Sequence, residues 1–306
     1  MLFDFLLAET MHENEIFVSV IVPTYNRAHL IGETIQSVLD QTYTNWELII
    51  IDDGSEDDTK NVVGKFSDPR IHYFAIEHCG IFGKVRNAGM QRANGDLIAF
   101  LDSDDLWKPN KLSFQLSLLK KDPEAGFIFG HGEQFGKGAI PPPQIEAFYS
   151  GNVFIPLLLE ERFVLYVPSV MFKKEVLHTV GYIDESLIIG SDLDFFLRMA
   201  CHYKGIFSNE ILVRIRKHDQ STSKRLEVAS YREHKQMVEK FFKDGYLNKE
   251  QYVLLASTQF YKLGLVHLRT KKPREAVNSF LSYIYLKPLH YKGWVRLGQA
   301  ALGAIS

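Results

Sequence analysis

The stretch Leu97-Ile98-Ala99-Phe100-Leu101-Asp102-Ser103-Asp104-Asp105 runs an apolar segment straight into three carboxylates. The apolar run reads as a buried strand, and strand ends are where an open α/β sheet places its ligands. Carboxylates packed this densely repel one another, so the knot favours a counter-cation. All-oxygen donors select Mg2+ or Mn2+ over softer metals. A lone Asp-x-Asp is most often a solvated acidic turn. The strand before this one, and the longer pattern it belongs to, set it apart.

The elements that must position this turn follow from hydrophobic periodicity. Phe17–Pro23 is nearly continuous β-branched and apolar sequence, as expected of a parallel strand buried on both faces. A helix follows Thr24-Tyr25-Asn26-Arg27, with Leu30, Ile31, Ile35, Val38 and Leu39 on one face. Trp46–Ile51 is a second buried strand, closed by Asp52-Asp53-Gly54-Ser55. The pattern predicts a helix around Thr59–Phe66, a strand at Ile71–Ile76, a helix at Lys84–Ala93 and the acidic strand at Asp96–Leu101. A helix at Lys111–Lys120 and a strand at Ala125–Gly130 continue it. Such alternation implies a mainly parallel sheet with helices on both faces. Gly136–Gln144, with its three prolines, reads as a stiff loop. Strand-like Tyr166–Phe172 and helical Asp194–His202 belong to a less regular half, and helical segments dominate from about Leu226.

Bulk properties narrow the classes. The 306 residues are 46% hydrophobic and 24% charged, enough for one large domain plus an appendage. A net charge of −2 gives no general reason to expect nucleic acid. Cys79 and Cys201 lie too far apart in sequence to suggest a disulfide framework or a zinc site. The apolar piece Leu2–Ala8 has no basic flank and is followed by Glu9, Glu13 and Glu15, the reverse of a signal peptide. No run approaches the ~18 apolar residues of a membrane span. A cytoplasmic protein is expected.

Six segments carry a family resemblance. They are Val20-Ile21-Val22-Pro23-Thr24-Tyr25-Asn26-Arg27, Ile51–Ser55, Arg86-Asn87-Ala88-Gly89, Phe100–Asp105, Gly181-Tyr182-Ile183-Asp184-Glu185 and Ser191-Asp192-Leu193-Asp194-Phe195-Phe196-Leu197-Arg198. In this order and spacing they resemble the family 2 glycosyltransferases, over roughly residues 17–225. The resemblance implies an α/β GT-A fold, Rossmann-like, and inverting transfer of a hexosyl or N-acetylhexosaminyl group. The donor would be a nucleotide sugar, most often UDP-linked, and the acceptor a hydroxyl of a carbohydrate or lipid-linked saccharide. Residues 1–16 form an N-terminal extension and residues 226–306 a helical, C-terminal region.

The chemistry explains the residue types. Negative charge grows on a diphosphate leaving group as the glycosidic bond breaks, and a chelated divalent cation stabilises it. By resemblance, Asp104 is the metal ligand, with Asp102 on the ribose or the metal's water shell. Asp105 stands in for Asp104 or caps the next helix. Pro23, Thr24 and Tyr25 lie where the family packs the nucleobase, Tyr25 offering a stacking face. Asp53 is expected to accept a hydrogen bond from a uracil N–H, and Asp52 to hold the turn. Ser103 joins the nucleotide-binding set. Arg86 has two readings of equal weight, phosphate binding and fastening of the acidic turn.

An acceptor hydroxyl needs a base to remove its proton. The family's Glu-Asp pair reads Ser191-Asp192 here, so Asp192 is the expected base, one carboxylate is missing, and Asp194 is the reserve. Arg198 is expected to pair with a carboxylate inside the domain. Arg214–Ser221 resembles a late loop that closes over the diphosphate, with His218 offering the metal a nitrogen and Arg216 or Lys217 meeting phosphate.

The tail loosely resembles a tetratricopeptide-type helical pair through Gln259–Gly264, Glu275–Phe280 and Leu286-Lys287-Pro288. From Lys262 to Arg296 it holds eight Lys or Arg and one acid, Glu275, interleaved with Tyr283, Tyr285, Tyr291 and Trp294. Two readings stand. One is a plain solvated face; the other is a contact for anionic lipid at the inner membrane face, or for a partner enzyme. A dinucleotide-dependent oxidoreductase would need a Gly-rich turn where Pro23-Thr24-Tyr25-Asn26-Arg27 stands. A nucleotidyltransferase lacks support for the same reason. The non-enzyme alternative is a binding protein on a degenerate glycosyltransferase fold, which would be expected to have lost the acidic turn or the base.

Overall fold

A computed structural model describes residues 16–141, 149–154, 165–217 and 227–305. The chain divides into two compact units, Met1–Glu185 with Phe195–His218, and Ser186–Asp194 with Asp219–Ser306.

The first unit is built on a nine-stranded sheet. Its strands are β1 (Val18–Thr24), β2 (Trp46–Asp52), β3 (Ile71–Ala75), β4 (Leu97–Phe100), β5 (Leu106–Trp107), β6 (Ala125–Gly136), β7 (Tyr149–Gly151), β8 (Met171–Lys173) and β9 (Lys204–Lys217). The order is β3-β2-β1-β4-β8-β6-β9-β5, with β7 also on β9. The pairs β1–β2, β1–β4, β2–β3 and β6–β9 are parallel. The pairs β4–β8, β5–β9, β6–β8 and β7–β9 are antiparallel. The sheet is therefore mixed beyond β4, where the sequence reading expected mainly parallel pairing. Short strands such as β5 and β8 carry no amphipathic crossover helix, and their antiparallel pairing needs none.

Helices α1 (Ile31–Leu39), α2 (Thr59–Val63), α3 (Phe82–Met90) and α4 (Lys111–Lys121) come from the first half, and α5 (Val176–Val180) and α6 (Ser191–His202) follow β8. Strands β1, β2 and β4 are almost wholly buried, which is why they read as unbroken apolar runs. Helix α3 lies directly on β1 because Gly89 has no side chain; a Cβ there would stand 2.4 Å from Ile21 Cγ2. Gly95, at the turn into β4, is equally constrained, since a Cβ would meet Ser19 N at 2.6 Å. A buried network ties the same corner together. Ser19 Oγ donates to Glu47 Oε1 at 2.6 Å, Asn94 N donates to the same carboxylate, and Gly95 N donates to Ser19 Oγ.

Three expectations change. Val167–Ser169 is a 3-10 turn ahead of β8, with Pro168 inside it, where a continuous strand was expected. Strand β6 runs on to Gly136, longer than read, because β9 pairs with it along nearly its whole length. Arg214–Lys217 form the end of β9 rather than a loop, with the Arg214 and Arg216 guanidinium groups 4.5 and 4.6 Å from the Phe135 ring centre. His218 and the rest of that segment to Ser221 lie outside the described residues, as do Met1–Glu15 and Pro142–Gln144 of the Pro-rich loop.

In the second unit, helices α7 (Glu227–Lys243), α8 (Lys249–Arg269), α9 (Pro273–Leu286) and α10 (Tyr291–Ile305) follow one another through short connections. Asn248 and Gln251 form a reciprocal capping box at the start of α8. Close approach is made by small residues: a Cβ on Gly264 would strike Phe280 at 2.7 Å, and one on Gly293 would strike Tyr283 at 2.7 Å. Ala276, Phe280 and Ala300 form the small core. Among the described residues no helix is long and apolar enough to cross a membrane.

Candidate active site

The chain leaves β1 toward β2 on one side and returns through β4 on the other, so a topological switch point lies between β1 and β4. The crevice beyond their carboxyl ends is where such sheets bind ligands. Two loops meet it: Thr24–Arg27 after β1, and Leu101–Asp105 after β4.

The first loop is stitched to the turn after β2. Asn26 adopts a left-handed conformation, φ 51°, which Asn tolerates better than most residues. Its Oδ1 accepts from Glu56 N at 2.9 Å, while Asn26 N donates to Ser55 Oγ and Arg27 N to Thr59 Oγ1. Asp52 holds the turn by accepting Ser55 N at 2.8 Å, and Tyr73 donates to its other oxygen at 2.5 Å. Burial and this carboxylate together push the Tyr73 hydroxyl pKa strongly upward. Thr24 is buried with no hydrogen-bond partner for Oγ1, so a donor and acceptor is left at the crevice. Pro23 is half-buried beside it and Tyr25 is exposed. The Tyr25 ring lies parallel to that of His78, centroids 4.2 Å apart. Asp53 is buried and accepts from Cys79 N at 2.8 Å, Gly80 N at 2.9 Å and His78 Nδ1. Its carboxylate shapes the loop before α3.

In the second loop the three carboxylates have distinct surroundings. Asp102 receives Arg86 Nη2 at 2.7 Å; its side chain is 33% exposed against 4% for Arg86. Arg86 thus fastens the acidic turn, one of its two expected roles. Asp104 lies 4.0 Å from Arg27 Nε and is 23% exposed. Asp105 is buried and accepts Arg216 N at 2.8 Å. It caps no helix: β5 follows it, and α4 starts from Asn110. Burial first, then repulsion from Asp102 and Asp104, raise the Asp105 pKa well above the usual carboxylate range. Ser103 is buried between the two partly exposed acids.

Arg216, near the end of β9, is tied to this turn. Its Nε donates to Asp104 O at 2.9 Å and its Nη2 to Glu33 Oε2 at 2.8 Å, which straps the turn to α1 and β9.

Among the described residues no three His, Cys, Asp or Glu side chains surround one point closely enough to cage a metal. The donor set still suits Mg2+ or Mn2+, which bind through one or two carboxylates and complete their shells with phosphate oxygens and water. Asp102 and Asp104 offer carboxylates of this chemistry, both partly exposed.

Asn87 and Gly89 explain the remainder of the Arg86–Gly89 segment. Asn87 Nδ2 donates to Ile183 O and Glu185 Oε1, and its Oδ1 accepts Ile183 N. That is why Gly181–Glu185 belongs to the same sequence pattern. Arg198 donates to Val180 O and Tyr182 O.

In the second unit Asp192 is half-buried in the first turn of α6 (Ser191–His202). Asp194 is buried and ion-paired with Lys240 at 3.1 Å. Sequence reasoning missed Glu233. Its carboxylate accepts Ile188 N at 2.8 Å, Ile189 N at 3.0 Å and Gly190 N at 2.7 Å, fixing the approach to α6. A lone Glu in an amphipathic helix carries no sequence signal for this.

The sequence profile described as "Glycosyl transferase family 2" matches residues 19–181, more than half of the chain. The chain is 42% identical over 127 residues to an Escherichia coli protein named UDP-Glc:alpha-D-GlcNAc-diphosphoundecaprenol beta-1,3-glucosyltransferase WfgD. That alignment covers 42% of this chain and spans half of the relative's length. The crystal structure of S. aureus TarS 1-349 in complex with UDP-GlcNAc superposes with a TM-score of 0.68 at 16% identity, covering 94% of this chain and 88% of that one. A mannosyltransferase from Pyrobaculum calidifontis, in complex with GDP-Man and Mn2+, gives 0.61 at 17% identity, covering 100% of this chain and 88% of the other. At these identities the two structures establish the fold.

Proposed function

Because the chain belongs to glycosyl transferase family 2, we propose that it transfers a sugar from a nucleotide-sugar donor to an acceptor hydroxyl. The observation that carries this reading is the pair of loops at the β1–β4 switch point, one holding Thr24 and Tyr25, the other Asp102 and Asp104. A UDP-linked donor and a lipid-linked saccharide acceptor are supported by the name of the E. coli relative and by the UDP-GlcNAc complex of TarS.

Each residue then has a task. Tyr25 offers an aromatic face to the nucleobase, and Thr24, Pro23 and Ser103 line the nucleoside. Asp104, with Asp102, would hold Mg2+ or Mn2+, which when bound neutralises the diphosphate as it departs. Arg86 holds Asp102 in place. Asp192 takes the proton of the acceptor hydroxyl while that oxygen attacks the anomeric carbon from the face opposite the diphosphate, so the configuration inverts. His218 is proposed as a further metal ligand.

Incubation of the chain with UDP-glucose or UDP-GlcNAc, Mn2+ and a lipid-diphosphate-linked saccharide tests the reading. Elongated acceptor and free UDP are expected, both lost in Asp104→Ala. Persistence of transfer in that variant would overturn the site.

The C-terminal helices supply a peripheral membrane contact in this reading. Leu289 and Tyr285 are 98% and 86% exposed, and Tyr291 and Trp294 are exposed beside Lys287 and Lys292. Aromatic and basic side chains together suit an anionic bilayer surface. Co-sedimentation with vesicles of anionic lipid at low salt is expected, and indifference to them would remove the contact.

A further inference from the structure

We propose that Glu233 of α7 is a positioning residue for the general base Asp192. The inference rests on the glycosyl-transfer reading and concerns what holds the base in place.

Asp192 stands in the first turn of α6, and Gly190 begins that helix, since its carbonyl oxygen accepts Asp194 N at 2.9 Å. Ile188, Ile189 and Gly190 lead into it as a bend outside any strand or helix. Backbone donors in such a segment have no ladder of their own and must be satisfied from elsewhere. All three go to one side chain. Glu233 Oε1 accepts Ile188 N at 2.8 Å, and Oε2 accepts Ile189 N at 3.0 Å and Gly190 N at 2.7 Å. Glu233 is only 8% exposed, so these charge-assisted bonds compete little with bulk water. The positive end of α6 favours a carboxylate at this place as well.

The same face of α7 makes two further contacts with the helix start, through Met237 one turn on and Lys240 two turns on. A Cβ on Gly190 would stand 2.8 Å from Met237 Cε and 3.2 Å from Glu233 Oε2, so the missing side chain lets α7 come this close. Lys240 Nζ meets Asp194 Oδ1 at 3.1 Å. Asp192 is thus bracketed, with residues 188–190 held before it and Asp194 held after it. Each residue turns a helix by about 100°, so Asp192 lies about 200° around from Asp194. Asp194 is buried against Lys240, while Asp192, half-buried, faces away from that contact.

Ser191 occupies the place where the resemblance puts the first carboxylate of a Glu-Asp pair. In this chain a carboxylate reaches the same helix start from α7, 43 residues beyond Gly190. A base has to stay within hydrogen-bond reach of the proton it takes. A misplacement of about 1 Å can cost about 10²-fold in rate. Glu233 supplies the missing constraint.

The test is steady-state transfer by the full chain with UDP-glucose or UDP-GlcNAc, Mn2+ and a lipid-diphosphate-linked saccharide. Glu233→Gln is expected to lower kcat by about 10–100-fold and to leave UDP affinity within about twofold of wild type. Glu233→Asp keeps the charge and every lone pair, and should recover part of the loss. Phe280→Leu loosens the small core of the C-terminal helices and controls for stability. Its kcat should stay within about twofold of wild type. In the Asp192→Asn background, Glu233→Gln should cost less than about twofold more, because residues that act as one unit are not additive. Wild-type kcat in Glu233→Gln, an equal loss in Phe280→Leu, or losses that multiply in the double variant would overturn the proposal. Should Glu233→Gln not fold, the same cycle is run with Glu233→Asp. Unchanged turnover in Asp192→Asn would remove the base itself, and the inference with it. Absence of transfer by the wild type would instead refute the glycosyl-transfer reading.

Discussion

Arg86 Nη2 and Asp102 Oδ1 stand 2.7 Å apart, linking helix α3 to the acidic turn beyond β4. The guanidinium is buried and the carboxylate is partly open, so the charge of Asp102 is fixed in position while one side of it still faces the crevice. The sequence segment Arg86–Gly89 and the segment Phe100–Asp105 belong together for this reason.

Arg86→Gln removes a charge-assisted hydrogen bond from a buried donor. Stability should fall by about 2 kcal/mol, a drop of roughly 5 °C in Tm for a unit of this size. UDP affinity in the presence of Mn2+ should fall with it. Thermal unfolding and calorimetry of the same preparation check both; unchanged nucleotide affinity would separate Arg86 from the site.

Asp192→Asn should leave donor binding intact and cut turnover by about 10²–10⁴, the usual reach of a general base. Asp194→Asn should instead lower stability, because it strips the buried partner of Lys240. Steady-state kinetics with each variant decide. Full turnover in Asp192→Asn, with loss of turnover at normal stability in Asp194→Asn, would exchange the two roles.

Glu233→Ala leaves the N–H groups of Ile188, Ile189 and Gly190 without their acceptor. A loss of about 2–4 kcal/mol is expected from the exposed desolvation penalties. Chemical denaturation measures it, and a change below about 0.5 kcal/mol would show that the segment before α6 does not depend on Glu233.

Lys111 is wholly buried, with Nζ 3.9 Å from the Trp107 ring centre and no hydrogen-bond partner. Burial drives its pKa well below the ordinary 10.5. Between the folded value and 10.5 the unfolded chain binds a proton that the folded chain does not, so stability climbs with pH across that window. Lys111→Met should raise stability near pH 7 by about 2 kcal/mol and flatten the climb below pH 10.5. Urea titrations at three pH values test it; a destabilised variant with an unchanged slope would contradict the assignment.

Much of this architecture could be read from residue types. Buried parallel strands reveal themselves as unbroken apolar runs, and β1, β2 and β4 are of that kind. Asp102 and Asp104 were visible because carboxylates cluster where a strand ends. The short strands β5 and β8 were not, since two or three residues hold no period and their pairing is decided by distant partners. Side-chain assignments that depend on long-range contact were equally hidden. Asp105 met Arg216 N from β9, and His78 met Asp53 from the other end of a loop. Glu233 met three backbone donors more than forty residues away.

The central claim is that Asp104 and Asp102 engage a nucleoside diphosphate through a divalent cation. Titration of UDP into the intact chain, with and without Mn2+, measures it directly. The account predicts that Mn2+ tightens UDP binding by about tenfold or more and that Asp104→Ala abolishes the gain while leaving the fold unchanged. Equal UDP affinity with and without Mn2+ in the wild-type chain would contradict it.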